Sequence, residues 1–194
     1  MAGSAALAMR GFDYLIVLFS VLLGLSLSRL LLGLARVVVD PERRIHWLPL
    51  LWTIQLFIFQ VVLWWLVFQR AEQEGWSFLH YVVLIGYPVL FFFQAVLLYP
   101  ELGPDDEGTL QSFLSRRRWF FAIFILFFLL DIAEAILAAE VAWTWRGLAT
   151  AILIPSAIFG TAMVTRDRVY HAVVAMLALL FAVGSAIGQL PTIA

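Results

Sequence analysis

The stretch "WFFAIFILFFLLDIAEAILA", residues 119–138, is a hydrocarbon-rich run interrupted by two acids, Asp131 and Glu134. A helix of about 20 apolar residues is about 30 Å long, the thickness of a bilayer's hydrocarbon core. A carboxylate at that depth is costly unless it is paired, protonated or in reach of water. The stretch therefore predicts a membrane-crossing helix with its two acids on one face, because positions three apart are neighbours on a helix.

The rest of the chain repeats the pattern. Of 194 residues, 64% are hydrophobic and 13% charged, more apolar surface than a soluble domain of this size can use. Six runs are long enough to cross once charged and Pro/Gly-bearing stretches are read as connections: Phe12–Val38, Trp47–Phe68, Trp76–Tyr99, Trp119–Ala138, Gly147–Thr165 and Val169–Leu190. The expectation is an all-α integral membrane protein, one transmembrane domain over residues 1–194. It is a bundle of about six helices with short loops and both termini non-cytoplasmic. Spans two to four each begin at a tryptophan, as interfacial anchors do.

Orientation follows from arginine, which supplies every basic charge apart from histidine. Arg10, Arg70 and Arg146 fall on one side, and Arg36, Arg43, Arg44, Arg116, Arg117, Arg118, Arg166 and Arg168 on the other, which the positive-inside rule makes cytoplasmic. The bacterial inner membrane is the default location for a compact chain with this bias. "MAGSAALAMR" does not read as a signal peptide, because the apolar run after Arg10 is longer than a signal core and no small-residue cleavage site follows.

Counted at about 1.5 Å per residue, Arg29, Gln55 and Gln94 share a layer about 8–12 Å inside the cytoplasmic boundary, and Gln60, Asp131 and Glu134 a layer about 20–24 Å deep. These six are the candidate transport or ion-binding residues. Asp131 and Glu134 would bind or relay a cation or proton, with Arg29 as counter-ion. The plainer reading is that Glu134 reaches the outer interface, Asp131 bonds a neighbouring helix, and Arg29 snorkels to the headgroups. Ser20, Gly24 and Ser28, and Gly184 with Gly188, have the four-residue spacing of helix-packing stripes. Pro88 and Pro155 fall near mid-membrane, where proline removes a backbone donor and bends a helix.

Other chemistry is disfavoured. The chain has no cysteine, which excludes thiolate catalysis and thiolate metal sites. His46 and His171 are expected at the cytoplasmic boundary and His80 at the other, too far apart to share a metal, so no metal site is predicted. No HExxH, phosphate-binding loop or nucleophile elbow occurs, and the protein is read as a non-enzyme with no identifiable cofactor. Net charge is −1 with no basic patch, so nucleic acid is not a partner. The expected partners are lipid and either further copies of the chain or a larger membrane complex. Two functions fit: an oligomeric channel or transporter for a cation or proton, or a non-catalytic accessory subunit.

Overall fold

The computed structural model describes residues 2–39, 46–70, 77–99, 109–137 and 152–189. They form six helices: α1 (Ala2–Val39), α2 (Trp47–Gln69), α3 (Phe78–Leu98), α4 (Thr109–Leu137), α5 (Ile154–Val164) and α6 (Arg168–Gly188). No strand occurs among the described residues. Five helices contain a segment long and apolar enough to cross a membrane: Phe12–Arg36, Trp47–Gln69, Phe78–Leu98, Leu110–Leu137 and Arg168–Gly188.

Two expected spans differ from the described helices in where they begin. The fourth helix starts at Thr109, ten residues before Trp119, so the Arg116–Arg118 triplet lies inside it. Residues 109–118 contain no Gly or Pro to stop a helix. Phe113 and Arg117, one turn apart, are both buried there. The fifth span is described only from residue 152, where a wider π-type turn leads into the 11-residue α5. Its expected first half lies outside the described residues.

Local chemistry explains several helix starts. Ser77 caps α3, accepting from the His80 amide at 3.3 Å, and Asp167 caps α6, accepting from the Val169 amide at 3.0 Å. His46 takes this role at α2, its Nδ1 accepting from the Leu48 amide at 3.3 Å.

The helices do not all pack on their sequence neighbours. α1 lies mainly on α3, α3 also on α4, α2 on α6, and α4 on α5. One end of the bundle carries Arg36, Arg116, Arg118, Arg166 and Arg168 and is called the basic end; Arg70 and Glu134 meet at the far end. The core is aromatic. Trp52 of α2 meets Phe120 and Phe121 of α4 edge-on at 5.2 and 5.6 Å, and Phe159 of α5 stacks on Phe124 at 4.5 Å. Such ring pairs each add about 0.5–1.5 kcal/mol beyond area burial. Lipid does not drive apolar helices together, so close packing of this kind holds the bundle. The periphery is apolar, with Phe78, Trp119, Val169 and Phe181 all largely exposed, as a lipid-facing surface requires.

Small residues act at positions other than the two stripes. A Cβ at Gly24, Gly184 or Gly188 would meet nothing within 4 Å, and Ser20 and Ser28 are exposed, so neither stripe packs against another helix among the described residues. The buried face of α1 is instead Phe12, Leu15, Phe19, Leu23, Ser26, Leu30 and Gly33, at spacings of three or four. Gly33 admits the ring of Tyr99, and Gly86 of α3 lies against Leu130 of α4, where a Cβ would come within 2.9 Å of Leu130 Cδ1.

Candidate functional site

The close approach at Gly86 and Leu130 brings their sequence neighbours together. Tyr87 is buried on α3, and its hydroxyl donates to Asp131 Oδ1 on α4 at 2.7 Å. One turn further along α4, Glu134 is ion-paired with Arg70, the residue that closes α2. The two side chains are 34% and 19% exposed, so this pair is partly shielded. Arg70 also lies within electrostatic range of Tyr87. Arg70, Tyr87, Asp131 and Glu134 thus form one cluster that ties α2, α3 and α4 together at the far end.

Asp131 takes one of the alternatives read from the sequence, and Glu134 takes a partner that neither alternative named. Glu134 is paired by Arg70, not by Arg29, and Asp131 bonds a neighbouring helix through Tyr87. Asp131 itself lies on the exposed flank of α4, with no cation in ion-pairing reach among the described residues. Arg70 and Tyr87 carry the site but are not among the predicted site residues. The signal for Arg70 was its position, the first basic residue after a span that runs parallel to the one holding Glu134.

The glutamines are all fully buried. Gln55, Gln60 and Gln94 are each 0% exposed, and neither polar atom of any of the three amides has a hydrogen-bond partner. Ser26, also 0% exposed, has an unpartnered hydroxyl. Buried polar groups without partners are rare, and each costs about 1–3 kcal/mol. Gln55 sits two positions from Thr53 and so on the other side of α2, the side that meets α6 through Phe59 and Phe181.

The basic end is closed by a second set of polar contacts. Thr53 Oγ1 donates to the Pro49 carbonyl at 2.9 Å, so the Tyr99 hydroxyl, 2.6 Å away, is the donor to Thr53. Arg117 is 6% exposed and donates to the Leu114 carbonyl at 2.7 Å and to the Val164 carbonyl at 3.2 Å, capping α5 from α4. His171 lies in the first turn of α6 at the basic end, where it is fully buried within the bundle. The Asp167 cap sets the phase of α6 and turns His171 inward, where it stacks on Phe121 at 5.4 Å and its Nε2 donates to the Thr165 carbonyl at 3.0 Å. His46, just outside α2, has its pKa lowered, first by burial and then by the Arg168 charge. Among the described residues no three His, Asp or Glu side chains converge as a metal site requires. Comparison with known protein families, with curated proteins and with solved structures finds no match.

Proposed function

We propose that this protein is an oligomeric channel or transporter that moves a proton or small cation, with Asp131 as the group that takes up and releases it. The supporting observation is the position of Asp131. It is a carboxyl group in the far half of a membrane-crossing helix, exposed on the bundle flank, held by one phenolic donor and, among the described residues, by no cation. Such a group exchanges a proton or binds a cation at lower cost than one locked in a salt bridge, as Glu134 is. In this reading the path runs along that flank, where one copy meets the next, and the protein sits in a bacterial inner membrane with both termini outside the cytoplasm. Arg70 and Glu134 neutralise each other and set the local field, while Tyr87 positions the acid.

The test is proton flux into liposomes holding the purified protein, driven by a potassium diffusion potential and read with an entrapped pH dye. Flux should be clear for the native chain, at least tenfold lower for Asp131→Asn, and only modestly changed for Glu134→Gln. Native protein that is folded yet leaves the liposomes as tight as empty ones, for protons and for sodium and potassium, rejects transport.

A second reading is favoured by the same cluster. Tyr87–Asp131 and Arg70–Glu134 together fasten three helices, which is what an accessory subunit needs of its polar residues. In mild detergent from its native source, a stoichiometric larger partner supports that reading, and a homo-oligomer supports transport.

A further inference from the structure

Ser26, Gln60 and Gln94 stand in a definite register with Tyr99. The ring of Tyr99 lies on Gly33 of α1, and its hydroxyl bonds Thr53 of α2. Ser26 is seven residues before Gly33 and Gln60 seven after Thr53, so each lies on the same helix face, about 10 Å further toward the far end. Gln94 is five residues back along α3 from Tyr99, about 7 Å in the same direction. Two turns before Gln94 on the buried face of α3 is Tyr87, bonded to Asp131. Helix register therefore sets buried, unpartnered polar side chains of three mutually contacting helices at depths between the Thr53–Tyr99 pair and the Tyr87–Asp131 pair.

The directions of the flanking bonds restrict what can sit between them. The Tyr99 proton is committed to Thr53, toward the basic end, and the Tyr87 proton to Asp131, toward the far end. Each phenol oxygen keeps only acceptor capacity for the interval. The two glutamines present both NH2 donors and carbonyl acceptors, and Ser26 presents a hydroxyl. A bare cation would satisfy the oxygens and leave the NH2 groups unpaired; an anion would do the reverse. A neutral group that both donates and accepts satisfies all of them, and the smallest is water.

We infer that Ser26, Gln60 and Gln94 form a buried hydration site, in which internal water joins the Thr53–Tyr99 pair to the Tyr87–Asp131 pair. This goes beyond the transport reading, since the amides need partners whether or not protons move. If Asp131 does exchange protons, the same water connects it to the basic end.

Water-edited solid-state NMR on the native, isotope-labelled protein in lipid bilayers tests this directly. The Gln60 and Gln94 side-chain amides should receive magnetisation from water nearly as fast as the exposed Ser115, and several-fold faster than the buried ring of Phe121. Gln60→Met and Gln94→Met assign the signals; if either variant fails to fold, backbone-linked assignment of the native chain serves instead. Transfer to both amides no faster than to Phe121 overturns the site. So does a direct through-space contact between the two amides without water transfer, which would show that they satisfy each other. Liposome flux is read separately, so loss of the hydration site and loss of transport are distinguishable results.

Discussion

Tyr99 lies so close against Gly33 that a methyl group at residue 33 would overlap the tyrosine's Cβ and ring. The contact lets α1 and α3 meet and holds the Tyr99 hydroxyl on Thr53. Gly33→Ala must shift the ring near its root, where it is least flexible, so we expect a loss of about 1–3 kcal/mol, as for other overpacked sites. Gly24→Ala is the control: a Cβ there meets nothing within 4 Å, and losing a helical glycine should stabilise by about 0.5–1 kcal/mol. Thermal unfolding in detergent of the two variants should shift in opposite directions.

The Arg70–Glu134 pair is partly shielded, between the surface and buried cases. Replacing either partner alone should cost about 2 kcal/mol, because the remaining charge is left at the edge of hydrocarbon. The double replacement Arg70→Gln with Glu134→Gln should cost less than the sum of the single ones. Additive losses in a double-mutant cycle would show that the two charges do not interact.

Arg117 is placed by its fork of donors, which reaches two carbonyls on two helices. Arg117→Met leaves the Val164 carbonyl without this donor and should lower stability by about 1–3 kcal/mol, and Arg117→Lys should recover only part of it. The change should localise to α5, seen as faster hydrogen exchange at Thr165, whose amide bonds Thr161.

His46 makes the start of α2 sensitive to pH. Its Nδ1 accepts the Leu48 amide, which only an unprotonated Nδ1 can do. Burial and Arg168 hold its folded pKa below the usual 6.5, so the folded state prefers neutral His46. Its contribution is complete above about pH 6.5 and is lost as pH falls through the lowered folded value. Melting temperatures from pH 8 to pH 5 should fall less for His46→Asn, which keeps a capping acceptor and does not titrate. Equal slopes for both proteins would remove His46 as the cause.

With no native cysteine, single introduced thiols give a clean topology test. Ser4→Cys should react with an impermeant maleimide from outside intact cells, and Ser115→Cys, exposed at the basic end, should react only after permeabilisation. The reverse pattern would invert the protein in the membrane.

The helical class and most span limits are legible in the sequence because apolar runs and Trp anchors mark where lipid begins, as at Trp47. The start of α4 is less so. A triplet of arginines resembles a loop, and only the spacing of Phe113 and Arg117 betrays a buried helical face. Depth counting places Gln55 and Gln94 at similar levels, but not on which side of a helix each is buried. The partner of Glu134 is obscured for a related reason. Arg70 is about 34 Å from Trp47 along α2, while Glu134 is counted at about 24 Å from Arg118. The long arginine side chain, and the fact that α4 begins well before Arg118, close that gap. The Gly33–Tyr99 contact could not be read at all, because it depends on α1 packing against α3 in preference to α2.

Pro88 follows Tyr87 inside α3 and leaves the carbonyl of residue 84 without its intrahelical donor. A helix hinges most cheaply where such a bond is missing. The turn that proline weakens is the one whose residues Gly86 and Tyr87 meet Leu130 and Asp131, so α4 splints α3 where its own backbone bonding is broken.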